Sequence, residues 1–189
     1  MAQTSAGKIF AVLNKDVSSE YRTRYALSSV MLFILITITM IVFAIANTSI
    51  SSDVAAAILW IVMFFTATTG LSKSFVSEEE RGTGLLLYLS ASSTSIYFGK
   101  LFFNIIMSLL LNSVAVSLFL LFLEIPIKYP LMFGFTIFLG SLGIASATTI
   151  ISAIIAKASS RNALFPILSF PMLLPLIIVG IETTIFSFD

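Results

Sequence analysis

Five apolar runs, each long enough to cross a lipid bilayer, leave this 189-residue chain few folds to choose from. A helical crossing takes about 20 mainly apolar residues, and the runs occupy residues 25–46, 54–71, 96–123, 131–156 and 164–181. In lipid every backbone N–H and C=O must find its partner within its own segment, so runs of this length become helices. The third and fourth exceed the bilayer thickness and are expected to tilt or extend into the interface. Hydrophobic residues make up 58% of the chain and charged ones only 10%, against about 25% charged in soluble domains. The expected fold class is an all-α membrane protein, a single transmembrane domain over residues 1–189.

The charges orient it. Lys8, Lys15, Arg22 and Arg24 precede the first run; Lys73, Arg81 and Lys100 flank the second connection; Lys157 and Arg161 lie between the fourth and fifth runs. The other side has only Lys128, with Asp53, Glu124, Glu182 and Asp189, so nine of the ten basic residues share one side. That side is expected to be cytoplasmic, with the N-terminus inside and, for five spans, the C-terminus outside. The first 24 residues are mixed and polar, unlike a signal peptide, and the first span is expected to serve as its own insertion signal.

Composition removes several chemistries. Without cysteine or histidine, the chain lacks thiolate chemistry, the commonest general base and the commonest axial ligand of haem iron. No run carries a charge at its centre, whereas ion-coupled transporters and proton relays depend on one. A phosphate loop needs G-x-x-x-x-G-K-[ST]; the Gly-Lys pairs, Gly7-Lys8 and Gly99-Lys100, lack both the upstream glycine and the following hydroxyl. The chain is therefore not expected to hydrolyse ATP or to be an enzyme. A net charge of +1 gives no reason to expect nucleic acid as a partner.

The outer connections, "NTSISSD" and "EIPIKYP", are too short for a binding domain, which leaves two cytoplasmic segments, 1–24 and 73–95. Within the first, residues 5–24 read as an amphipathic helix in the headgroup plane. Ile9, Phe10, Leu13, Val17 and Tyr21 form its apolar face, and Lys8, Lys15, Ser18 and Arg22 its polar one. It serves either as an anchor setting the angle of the first span or as an elbow that moves with the spans. Ser141, Ala145, Thr149 and Ala153, four residues apart in the fourth span, form a small-residue stripe that lets helices approach closely. Packing within the chain is one use of it and a seam to a second copy, a homodimer, the other. Pro166 can sit near the start of the fifth helix, whereas Pro171 and Pro175 are expected to kink or break it.

The second segment, "SFVSEEERGTGLLLYLSAS", sets a charged knot between two spans. Gly82 and Gly84 permit a sharp turn, and Thr83 is placed to cap a short helix of Leu85, Leu86, Leu87, Tyr88 and Leu89. "SASSTS" then ends that helix and caps the third span. The segment is either a solvated loop with an interfacial helix or a docking element for a cytoplasmic partner. For docking, the leucines would supply the apolar anchor, and Glu78, Glu79, Glu80 and Arg81 a charged rim.

Charged residues, Gly-Thr, a leucine block and a small-residue turn leading to "GKL" resemble the permease subunits of type-2 ABC exporters, where this stretch is the coupling region that meets the ATPase. Across nearly the whole chain the sequence is similar to the CcmB-type permease, haem exporter protein B of bacterial cytochrome c maturation. The resemblance is carried by "LNKDVSSEYRTRYALSSVMLF", "GLSKSFVSEEERGTGLLLYLS", "IYFGKLFFN" and "KASSRNALFPILSFPMLLPLIIV" in that order. It departs at "SASST", where such permeases often carry a proline and a basic residue. It departs again at "ETTIFSFD", where the family's sixth span would be expected to follow; the chain is either truncated there or lacks that span.

The resemblance implies a multi-pass subunit of the bacterial inner membrane, working with a cytoplasmic ABC ATPase and other haem-handling membrane proteins. It assigns the coupling role to Glu78, Glu79, Glu80, Arg81, Gly82, Thr83, Leu85, Leu86 and Leu87. Haem would be a substrate of the complex rather than a cofactor of this chain, and no metal is expected. Whether this subunit itself moves haem stays open. The alternatives are a type-2 exporter permease for lipid, polysaccharide or drug, which genome neighbours would discriminate, and a membrane scaffold without transport, which would co-purify with no ATPase. The charge asymmetry makes a direct prediction: reporter fusions at Ser51 and Tyr129 read as periplasmic, and those at Ser92 and Ser159 as cytoplasmic. A cytoplasmic signal at Ser51 contradicts the topology.

Overall fold

The computed structural model of the protein describes residues 5–23, 25–45, 50–71, 78, 82–156, 158 and 161–189. Among these residues the regular elements are helices: α1 (Ser5–Thr23), α2 (Tyr25–Ile45), α3 (Ser52–Leu71), α4 (Gly84–Ser90), α5 (Ser93–Leu123), α6 (Pro130–Ile155) and α7 (Arg161–Phe188). Helices α2, α3, α5, α6 and α7 are each long and apolar enough to cross a membrane. With 31 residues, α5 is about 46 Å long at 1.5 Å per residue, well beyond a hydrocarbon core of about 30 Å.

Local chemistry sets the helix ends. Ser92 is the N-cap of α5, its hydroxyl oxygen accepting from the Ser95 N–H at 3.4 Å, and Pro130 opens α6 with the φ that a first turn needs. The Glu20 carboxylate of α1 accepts the Leu27 N–H in the first turn of α2 at 2.9 Å. It thereby places negative charge where the exposed amides and the helix dipole favour it. At the far end of α5, Glu124 takes a left-handed conformation with φ 50°, and its N–H returns to Leu120 O.

α7 is not broken. It runs through Pro166, Pro171 and Pro175 and on to Phe188, past the expected end at 181. All three prolines are exposed. Pro166 lies in the second turn rather than at the helix start, and the Ser169 hydroxyl donates back to its carbonyl at 3.2 Å.

The core is centred on Trp60 of α3, which is fully buried. Gly140 of α6 and Gly180 of α7 form the slot that holds its indole, because a Cβ at either would overlap the ring. The indole N–H donates to Thr184 Oγ1 at 2.9 Å, and that hydroxyl donates to Gly180 O at 2.7 Å, so the group is satisfied at lipid depth. Farther along, a Cβ at Gly143 would lie 2.8 Å from Leu176, which shows how closely α6 and α7 approach. At the end away from α1, the N–H groups of Lys128 and Tyr129 both donate to Ser187 O at 3.0 Å. These bonds tie the α5–α6 connection to α7, and α3, α6 and α7 thus form a tightly joined group.

Candidate functional site

α1 has three faces rather than the two that the sequence suggests. Phe10, Val17 and Tyr21 are exposed and fall on one side of the helix; Lys8, Lys15 and Arg22 fall on a second. The third side, with Ile9, Val12 and Asp16, lies against α5. The contact is made at Gly99, where a Cβ would sit 2.7 Å from Val12 Cβ and 3.1 Å from Ile9 O. Only glycine lets α1 come this close.

Beside Gly99, Lys100 is only 1% exposed. An ammonium group so placed needs negative partners, because burying an unpaired charge costs several kcal/mol, in round terms about 3–5 when one partner is lost. Lys100 Nζ lies 3.2 Å from Asp16 Oδ2 and 3.5 Å from Glu78 Oε1. Lys15 completes the cluster, 3.3 Å from Asp16 Oδ1 and paired with Glu78 Oε1. Among the described residues two cations and two carboxylates balance, and they join three parts of the chain: α1, the α3–α4 connection and α5.

Burial alone would raise the Glu78 carboxyl. Hydrogen bonds from Lys15 and Thr83 and the nearby Lys100 charge outweigh burial and hold it down from the ordinary 4.5 to about 2. For Lys15 burial acts to lower the ammonium, but the hydrogen bond to Glu78 and the charge of Asp16 leave it raised above 10.5.

The turn into α4 follows from the same carboxylate. Thr83 occupies the N-cap position, yet its side chain makes no capping bond; the hydroxyl donates instead to Glu78 Oε2 at 2.7 Å, and the Thr83 N–H to Glu78 O at 3.0 Å. The expected Thr83 side-chain cap is thus corrected: the hydroxyl donates to the Glu78 carboxylate, and Thr83, with φ −92° and ψ −4°, lacks the extended conformation from which a capping oxygen reaches the next amides. Gly82 has φ +67°, the left-handed conformation that glycine adopts without strain. Gly84 already belongs to the helix, so one glycine makes the turn. On α4, Leu86 is 68% and Leu89 83% exposed, whereas Leu87 points inward and packs with Ile96 and Ala156. Glu79, Glu80, Arg81 and the side chain of Leu85 lie outside the described residues.

A second polar feature runs down α5 from Lys100: Asn104, Ser108 and Asn112, at the same four-residue spacing and all buried. They face the stripe on α6. Asn104 Nδ2 donates to Thr149 Oγ1 at 2.8 Å, Ser108 Oγ to Ser141 O at 3.1 Å, and Asn112 Nδ2 to Ser141 Oγ at 3.0 Å and Ser108 Oγ at 3.2 Å. Ser141, Ala145 and Thr149 are fully buried, and Ala153 is half-buried beside the Ile96 cluster. Asn104 Oδ1, Asn112 Oδ1 and Thr66 Oγ1 are buried with no hydrogen-bond partner among the described residues; such a group costs about 1–3 kcal/mol.

The family model described as CcmB protein matches residues 7–187, nearly the whole chain. The chain belongs to the CcmB family. It is thereby a multi-pass membrane protein of the permease component of the cytochrome c maturation haem exporter, a non-catalytic subunit by family. No curated protein and no solved structure matches it. Among the described residues of this CcmB-family chain, no group of three or more His, Cys, Asp or Glu could hold a metal ion.

Because the folded Glu78 carboxyl sits at about 2 rather than 4.5, its contribution is complete above pH 4.5 and is lost as the pH falls toward 2. The Lys15 contribution runs the other way and is lost as the pH rises beyond 10.5. Thermal unfolding of the solubilised protein between pH 5 and pH 2 should show this acid loss, and Glu78→Gln should flatten it. An acid slope unchanged by Glu78→Gln would place the titrating group elsewhere.

Proposed function

We propose that this CcmB-family chain is the membrane subunit of an ATP-driven complex that delivers haem, or releases a haem-loaded chaperone, during cytochrome c maturation. In this reading the end bearing α1 and α4 faces the cytoplasm, the chain spans the bacterial inner membrane, and a separate ABC ATPase docks on α4. Other haem-handling membrane proteins complete the assembly, with haem as cargo.

The observation that carries the docking role is the division of labour on α4. Leu87 fastens the helix to the bundle, while Leu86 and Leu89, one turn apart, present apolar side chains outward. A short helix held on one side and bare on the other suits an apolar pocket of a soluble partner. Glu78 takes a different part from the rim role that the sequence suggests. Its carboxylate is engaged with Lys15, Lys100 and Thr83, so it holds the docking helix in register with α1 and α5. Steering charge is left to Glu79, Glu80 and Arg81.

Mutants separate these parts. Leu86→Asp should lower ATPase affinity about thirtyfold, since a lost anchor costs roughly 2 kcal/mol and ~1.4 kcal/mol is tenfold. Membrane yield should stay normal because the side chain is exposed. Leu87→Asp should reduce yield as well, because it buries a charge against Ile96. Reversing Glu79 and Glu80 to Lys should act on association rate and its salt dependence. Pull-down of the ATPase beside membrane yield reads all three. A Leu86→Asp variant that keeps full partner and supports cytochrome c assembly would reduce α4 to an interfacial loop.

A further inference from the structure

The contact between α5 and α6 is built unlike the others. Around Trp60 the helices α3, α6 and α7 meet in a largely apolar joint in which the indole N–H and the Thr184 hydroxyl both have acceptors. Between α5 and α6 the contact is polar and incomplete. The hydrogen-bond directions there are fixed by the hydroxyls. Ser108 donates to Ser141 O and so accepts from Asn112; Thr149 donates to Ala145 O at 2.5 Å and so accepts from Asn104. Each asparagine therefore commits its amide nitrogen to these partners and turns its carbonyl oxygen elsewhere. Those two oxygens, on one face of α5 and about two turns apart, meet no donor among the described residues, although both residues are fully buried.

Closed packing thus leaves two strong acceptors unmatched, while every bond across the contact is of a kind that water replaces at little cost. We propose that the α5–α6 contact is a hydratable gate: in a second state the helices part, and water enters and donates to Asn104 Oδ1 and Asn112 Oδ1. The ligand class of this site is water, and the unmatched acceptors destabilise the closed state relative to a hydrated one. The inference rests on the permease reading for the force that parts the helices. That force has a route. Lys100 lies one turn before Asn104 on the same face of α5 and is joined to Asp16 of α1 and to Glu78 beside α4. A displacement of α4 reaches the first rung of the contact through that cluster. α6 stays behind, held by the Trp60 slot to α3 and α7, and α5 moves over α3 on apolar contacts such as Leu111 against Gly70, which have no fixed direction.

The chain has no cysteine, so a single introduced thiol reports on one position. Ser141→Cys probes the gate. Ala115→Cys, equally buried on α5 but in the apolar core, is the control, and Ser108→Cys is the second probe should S141C fail to accumulate. The reagent is a small, membrane-impermeant methanethiosulfonate, applied to membranes holding the whole complex with and without ATP. A thiol in apolar surroundings stays protonated and unreactive, so a gate that wets should make S141C react about tenfold or more faster than A115C. ATP should widen that gap. Equal rates for S141C, S108C and A115C in every nucleotide state would overturn the proposal and make the polar rungs static packing. The permease reading fails separately: if no ATPase is captured and the S141C to A115C contrast persists, the gate stands and the docking role of α4 falls.

Discussion

Lys100 is the residue on which the basic end of the molecule depends. It carries an ammonium group into the bundle at the head of α5, where desolvation would exclude it unless negative charge followed. Asp16 supplies one carboxylate from α1, and Glu78 supplies the other from the approach to α4. Lys15 brings the total among the described residues to neutrality. The consequence is mechanical. Helix α5, helix α1 and the connection that leads to α4 are bound at one point, with Gly99 removing the side chain that would hold α1 away.

The opposite half of the bundle is organised on a different principle. There the constraint is steric: a tryptophan needs room between two helices, and Gly140 and Gly180 supply it. The Trp60 N–H and the Thr184 hydroxyl both end on acceptors, so the slot holds the indole with no unmet donor. A permease that couples events on one face to events deeper in the membrane needs both kinds of joint. In the gate proposed above, the ionic joint is the route for displacement inward, the steric joint gives it something to move against, and the Asn104–Asn112 face lies between them.

Much of this was legible in the sequence. The five spans follow from run length alone, and Gly82 and Ser92 took the conformations that their neighbours imply. What the sequence concealed shares one cause: the partners are far apart in the chain. Lys100 reads as one more charge on the basic side, because Asp16 is 84 residues away. Asp16 itself interrupts no pattern, so the third face of α1 is invisible without Gly99. The four-residue spacing of Asn104, Ser108 and Asn112 could have been noticed beside the stripe at Ser141, Ala145 and Thr149, but the high apolar content of the third span obscures it. The prolines were visible in the sequence, but not which of their two effects would follow. Of the expected kink or break at Pro171 and Pro175 the break does not occur, because the turns on either side of each proline keep the helix continuous from Arg161 to Phe188.

A double-mutant cycle on Lys100→Met and Asp16→Leu tests the central claim, with the unfolding of the solubilised protein as the readout. Either single change leaves the cluster one charge out of balance, with the remaining partners still paired, and should cost up to roughly 3–5 kcal/mol. The double change removes one cation and one carboxylate, leaves Lys15 paired with Glu78, and should recover most of that loss. Recovery in the double variant is the predicted result. Simple addition of the two losses, or two silent single variants, would show that Lys100 and Asp16 do not depend on each other and would contradict the account.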